Sequence, residues 1–295
     1  MIKLVLSDMD ETLKRANEPL VPKRTLKAIT ALKEAGIDFG PATGRSAYDA
    51  LPFYGFDARY LQTAICGSGK VVYGKGALVA KRVLSAKTLE RILQVIARYK
   101  DTYLAYFDEG PAEPPLDVSI RPAWMIFGVT QAQVDYINAH YDSFTAAQGP
   151  NTVPHDKDFI SVGILAPQDQ LAREAMFDDV LTQIPEIDLV SPYTGWYDVN
   201  PKGFSKADGF KILLEYLNLA PDEVVFCGDS GNDLTLLELS PHSFCVGNGS
   251  DEAKAAATYT LNGTVDKEIV AQLMEALVAD GGDISGPHVQ ALIER

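Results

Sequence analysis

Val5-Leu6-Ser7-Asp8-Met9-Asp10-Glu11-Thr12 is the stretch on which the fold of this 295-residue chain turns. The apolar run Ile2–Leu6 mixes β-branched and aliphatic residues and then stops at a polar cluster, the pattern of a buried strand. Two carboxylates one residue apart, just past the carboxyl end of such a strand, fall where open α/β sheets bind their ligands. Negative charge gathered there is costly unless a cation or a phosphate reaction uses it.

Outward from this stretch, strand and helix patterns alternate. A helix is predicted from Pro22 to Gly36, with Leu26, Ile29 and Leu32 on one side. The apolar piece Ile37–Phe39 runs into Pro41-Ala42-Thr43-Gly44-Arg45. Leu61–Cys66 leads to a glycine-rich turn and the piece Val71–Tyr73. Strand–helix–strand order with short connections implies a parallel sheet and right-handed crossovers.

From about Leu84 the texture becomes α+β: amphipathic Ala86–Tyr99, a strand at Tyr103–Phe107, a proline- and acid-rich loop at Asp108–Asp117, and amphipathic Gln131–Phe144. A strand at Phe159–Leu165 and a helix at Gln168–Gln183 follow. Near Tyr197 the first texture returns. Ser205 can cap a helix striped with Phe210, Leu213 and Leu217, and Val224–Cys227 is a strand ending in Gly228-Asp229-Ser230-Gly231-Asn232-Asp233. The expected architecture is an α/β, Rossmann-like, doubly wound parallel-sheet core over residues 1–83 and 191–295. An α+β cap domain over 84–190 is inserted into it. The tail after Ala279 receives no function.

A hydrophobic fraction of 46% and a charged fraction of 22% place the chain among ordinary globular proteins. The net charge of −14 argues against nucleic acid and anionic membrane as partners. It leaves a small phosphorylated metabolite open, because a local cluster of Mg²⁺ and lysine can override the global field. No run is long enough to span a bilayer, and no signal-peptide pattern is visible. Three scattered cysteines, Cys66, Cys227 and Cys245, read as reduced thiols of a cytoplasmic protein.

Four polar clusters follow strands or open helices: Asp8-Met9-Asp10, Thr43-Gly44-Arg45, Lys206, and Gly228–Asp233. A magnesium-dependent phosphoryl transfer to a carboxylate needs all four. Asp8, first past the strand, is the candidate nucleophile. Asp10 is placed to protonate the leaving oxygen and then to deprotonate water. Asp229 can supply a further carboxylate to a bridging Mg²⁺, with Asp233 in the ion's outer shell. Thr43 and the Gly44 amide can hydrogen-bond phosphoryl oxygens, Asn232 can orient them, and Lys206 can neutralise them. Lys202 and Lys211 compete with Lys206 for that role; its place at the helix start favours Lys206.

These motifs resemble the haloacid dehalogenase superfamily of phosphatases, and within it the Cof-like (class IIB) hydrolases. The resemblance rests on Asp8-Met9-Asp10-Glu11-Thr12-Leu13, Ala42-Thr43-Gly44-Arg45, Lys202-Gly203-Phe204-Ser205-Lys206 and Gly228-Asp229-Ser230-Gly231-Asn232-Asp233. The turn Ile65-Cys66-Gly67-Ser68-Gly69 and the loop Val246-Gly247-Asn248-Gly249 also match. The resemblance implies an α/β cap, Mg²⁺ as cofactor, and hydrolysis of small phosphate monoesters such as sugar phosphates. It implies Asp8 as nucleophile, Asp10 as acid/base, phosphate contacts from Thr43 and Lys206, and Mg²⁺ held by Asp8, the Asp10 carbonyl and Asp229. Two departures stand out: Glu11 replaces a glycine, and Gly67-Ser68-Gly69 replaces an asparagine-glycine turn. The rival functions are a phosphotransferase or phosphomutase on the same core, and a weakly catalytic sensor of phosphorylated ligands.

Overall fold

The computed structural model describes residues 1–140 and 145–294. The chain opens with β1 (Leu4–Ser7), α1 (Lys23–Glu34), β2 (Asp38–Pro41), the short α2 (Ala47–Ala50), β3 (Ala64–Cys66), β4 (Val71–Gly74) and β5 (Ala77–Lys81). All four residues of β1 are buried, as a strand covered on both faces requires. Helix α1 buries Thr25, Ala28, Ile29 and Leu32, which recur at three- and four-residue spacing on its inner face.

Next come α3 (Ala86–Ile96), β6 (Tyr103–Asp108), β7 (Ala123–Ile126), α4 (Gln131–His140), β8 (Ala146–Gln148), β9 (Val162–Leu165), α5 (Gln170–Gln183), β10 (Ile187–Tyr193) and β11 (Trp196–Pro201). Side-chain caps set two of these helix starts. Ser85 accepts the Thr88 amide before α3, and Asp169 accepts the Ala172 amide before α5. The helix expected over Gln131–Phe144 is present to His140, and residues 141–144 lie outside the described residues.

The chain then runs through α6 (Lys206–Leu217), β12 (Val224–Gly228), α7 (Leu234–Leu239), β13 (His242–Cys245), α8 (Asp251–Ala256), β14 (Tyr259–Thr260), α9 (Ile269–Ala279) and α10 (Pro287–Gln290). The first sheet has the order β14-β13-β12-β1-β2, with every pairing parallel. Leu4, Leu6, Val224 and Phe226 on one of its faces pack against Phe210 and Leu213 of α6 and Leu236 and Leu237 of α7. The carboxyl ends of β1 and β12 therefore lie side by side at the middle of a doubly wound sheet, where ligands bind in such folds. The tail closes on this sheet. Glu294 donates its amide to Thr260 at 2.8 Å, Ile2 donates to Gly282 at 2.9 Å, and Leu261 bridges Ile293.

Two compact units result. The first holds residues 1–81, 112–118 and 205–295; the second holds 82–111 and 119–204. The second unit is built on a sheet of order β10-β11-β9-β6-β7-β8. Beyond a two-residue shift at the start, where Arg82 and Val83 join the second unit, these limits differ from the expected 84–190 insertion at two places. Residues 191–204 fall in the second unit because β11 pairs with both β10 and β9 there. Ala112–Val118 falls in the first unit, where Tyr73 donates to the Ala112 carbonyl at 2.8 Å and Lys81 pairs with Glu113 at 2.7 Å. The expectation missed both because loop composition and strand pattern do not report which sheet a segment joins.

The turn after β3 ties the first unit's loops together. Gly67 donates to the Arg45 carbonyl at 2.7 Å, and Ser68 donates to the Thr43 carbonyl at 3.0 Å. Gly69 has φ +99°, and a Cβ placed there would meet the Ser205 carbonyl oxygen at 2.2 Å. Gly69→Ala should therefore destabilise the protein by more than about 2 kcal/mol, combining left-handed strain with a backbone clash. A thermal melt of that variant unchanged from the parent would contradict this close approach.

Candidate active site

Strands β1 and β12 each end in a carboxylate. Asp8 follows β1 and continues its ladder, donating its amide to Cys227 at 2.8 Å. Asp229 follows β12, and Thr12 donates its hydroxyl to Asp229 Oδ1 at 2.7 Å. Asp233 precedes α7 and folds back on the strand end. Its Oδ2 accepts the amides of Asp229 at 3.0 Å and Ser230 at 3.3 Å. Gly228 makes room for it, since a Cβ there would lie 2.8 Å from the Asp233 carboxyl carbon. One carboxylate oxygen from each of Asp8, Asp229 and Asp233 lies within 4.8 Å of the others.

Lys206 enters this cluster from the first turn of α6. Ser205 and Asp208 form a capping box that fixes the start of that helix. The fully buried ammonium donates to Asp8 Oδ1 at 2.6 Å and to Asp233 Oδ1 at 2.7 Å. Burial alone would lower the Lys206 pKa; the charges of Asp233 and Asp8 outweigh it and raise it. Burial pushes the Asp8 carboxyl up, and the charges of Asp233 and Asp229 reinforce this against the pull of Lys206. Asp229 is pushed up to about 6, first by burial and then by Asp233. Three carboxylates thus face one ammonium, a surplus of two negative charges in an all-oxygen donor set. That chemistry fits a hard divalent cation.

Asp10 points elsewhere. Its Oδ2 accepts Arg45 Nε at 2.6 Å, and its Oδ1 accepts Arg45 at 3.2 Å and Lys14 Nζ at 2.9 Å. Burial by itself would raise the Asp10 carboxyl, but the charges and hydrogen bonds of Arg45 and Lys14 hold it below the usual carboxylate range. Its carboxylate is outside the acidic triad, so a metal ligand from Asp10 has to be its carbonyl.

The phosphate-site candidates gather at the neighbouring loop. Thr43 is buried, with its amide on the Ile65 carbonyl at 2.8 Å and its Oγ1 accepting the Arg45 amide at 3.1 Å. A Cβ on Gly44 would sit 3.4 Å from Ser68 Oγ and 3.7 Å from Asn232 Nδ2, which places Asn232 beside this loop. The competing lysines have partners of their own: Lys202 pairs with Asp188 at 2.6 Å and Lys211 with Asp208 at 3.5 Å, both largely exposed.

Glu11 adopts φ +59°, the conformation that a glycine takes without strain. Its turn is held nonetheless. Glu11 Oε1 accepts the Ala16 amide at 2.7 Å, and Asn248 Nδ2 donates to the Glu11 carbonyl at 2.7 Å. Sequence reasoning gave no role to Thr12, Lys14, Arg45 or Asn248. Thr12, Arg45 and Asn248 lay inside quoted motifs, a signal that was there to use. Lys14 gave none, because nothing local distinguishes a buried lysine from a surface one.

With this geometry in place, comparison with known proteins decides the family. A family profile described as haloacid dehalogenase-like hydrolase matches residues 5–274. The chain belongs to the haloacid dehalogenase-like hydrolases. A 5-amino-6-(5-phospho-D-ribitylamino)uracil phosphatase of Escherichia coli is 24% identical over 270 residues, covering 88% of this chain and 90% of that protein. A haloacid dehalogenase-superfamily phosphatase of Bacteroides thetaiotaomicron superposes with TM-score 0.74 at 22% identity, covering 96% of each chain. A subclass IIB sugar phosphatase superposes with TM-score 0.70 at 18% identity over 92% of this chain and 98% of that one. This haloacid dehalogenase-like hydrolase thus shares its fold with a subclass IIB sugar phosphatase.

Removing the Lys206 charge strands three carboxylates. Lys206→Met should cost about 3–5 kcal/mol at neutral pH, as for a broken buried ion pair. Lys202→Met, which loses one exposed pair, should cost less than about 1 kcal/mol. Urea denaturation of the two variants measures the difference, and equal losses would refute Lys206 as the site's counter-charge.

Proposed function

We propose that this hydrolase is a Mg²⁺-dependent phosphatase of small phosphate monoesters that works through an aspartyl-phosphate on Asp8. One observation carries the reading: the buried ammonium of Lys206 lies 2.6 Å from Asp8 Oδ1 inside an acidic triad with two unbalanced negative charges. Asp8 attacks phosphorus, the bond to the leaving oxygen breaks, and Asp10 gives that oxygen a proton. Asp10 then takes a proton from water, which attacks phosphorus; the bond to Asp8 breaks, and inorganic phosphate leaves. A Mg²⁺ held by Asp8, the Asp10 carbonyl and Asp229, with Asp233 behind them, would offset the repulsion between nucleophile and phosphate. Thr43, the Gly44 amide, Asn232 and Lys206 hold the phosphoryl oxygens.

The substrate class rests on the family and on relatives whose names give a phosphorylated ribityl compound and sugar phosphates. Every residue of the chemistry above belongs to the first unit. No described helix is long and apolar enough to cross a membrane. Cys66, Cys227 and Cys245 are buried and none is in a disulfide, which suits the proposed cytoplasmic setting.

Phosphate release from a panel of sugar phosphates, nucleotides and pyridoxal phosphate, with Mg²⁺ and with EDTA, tests the activity. Release should need Mg²⁺ and fall by ~10³-fold or more in Asp8→Asn. Full activity in that variant would remove Asp8 as nucleophile. The cation test uses pH. The folded Asp229 value, about 6, lies above the unfolded one, so its contribution to stability is present at low pH and lost as pH rises through about 6. Mg²⁺ binds the ionised form, so it should raise the melting temperature more at pH 7.5 than at pH 5. An equal shift at both values would place the ion elsewhere.

A further inference from the structure

We infer that Lys14 is a positioning residue that presents one chosen oxygen of Asp10 to the substrate. The inference rests on the reading of Asp10 as acid and base. Lys14 is fully buried, a rare place for a lysine unless its charge is matched. Its ammonium donates to Asp10 Oδ1 and to the Arg15 carbonyl, each at 2.9 Å, and lies 4.1 Å from the centre of the Phe53 ring. The Arg45 guanidinium lies 4.5 Å from the same ring. Phe53 thus carries both cations that grip Asp10, and each favours the ring's electron-rich face.

The grip is unequal. Oδ1 accepts from Lys14 and from Arg45, whereas among the described residues Oδ2 accepts from Arg45 Nε alone. Oδ2 keeps a lone pair with which to carry and deliver a proton. Lys14 therefore decides which oxygen faces the chemistry. Without it Arg45 alone holds the carboxylate, and its two oxygens can exchange. The rest of the Lys14 environment is backbone carbonyl and aromatic ring, and the lysine lies outside the acidic triad. It does not touch the phosphate-site residues in any described contact.

A merely structural lysine and a positioning one differ in how their loss depends on the leaving group. An alkyl phosphate needs its leaving oxygen protonated; p-nitrophenyl phosphate, whose leaving group is stable as an anion, hardly does. kcat/KM reports the steps through departure of the leaving group. Lys14→Met should lower kcat/KM for an alkyl sugar phosphate about tenfold or more and for p-nitrophenyl phosphate less than about threefold. Phe53→Leu keeps both charges and removes the ring beneath them, so it should show the same selective loss at smaller size. It carries the test if Lys14→Met does not accumulate as folded protein. Parallel losses on the two substrates, or no loss, in the folded variant overturn the assignment of Lys14. Wild-type protein that hydrolyses neither substrate instead overturns the phosphatase reading, and the Lys14 inference with it.

Discussion

A single buried ammonium holds this structure's polar centre together. Lys206 binds Asp8 and Asp233 at once, with no solvent to share the load. Desolvating three carboxylates is costly, and one cation offsets only part of it. Burial raises Asp8 and Asp229, the neighbouring carboxylates add to it, and the oxygen donor set suits a hard divalent cation as counter-charge. Two local features keep Lys206 where it is. The capping box fixes the start of α6, and Gly69 lets the turn after β3 press against Ser205.

The same turn also donates to the carbonyls of Thr43 and Arg45. The loops that follow β2 and β3 are thereby coupled through backbone hydrogen bonds, which do not depend on side-chain identity. This accounts for how the site tolerates Gly67-Ser68-Gly69 in place of an asparagine-glycine turn. Ser68 takes φ +58° between two glycines that also have positive φ. Glu11 makes a comparable accommodation, with its own carboxylate and Asn248 securing a conformation that a glycine would adopt freely.

Two carboxylates a residue apart have opposite surroundings. Asp8 lies among acids and is raised; Asp10 lies between two cations and is lowered. The proposed roles ask for the reverse, an ionised Asp8 and a protonated Asp10, and a divalent cation at the triad would draw Asp8 back down. The chain's net charge of −14 is no guide here, because Arg45, Lys14 and Lys206 concentrate positive charge where the chemistry needs it.

The order of strands and helices in the first unit, and the residues at the ends of β1 and β12, were legible from the chain alone. Apolar runs such as Ile2–Leu6 and Val224–Cys227 report burial directly, and polar clusters after them report the functional edge of a parallel sheet. The motif matches also separated Lys206 from its neighbours. Partnership was not legible. Asp10 facing Arg45 and Lys14, Thr12 on Asp229, and Asn248 on Glu11 join residues up to 237 positions apart. Nor did composition reveal that 191–204 completes the second unit's sheet or that Ala112–Val118 packs with the first unit. Local pattern determines which segments become strands and helices, because burial and backbone propensity act within a few residues. Which charge meets which is decided only once the sheet brings distant strand ends together.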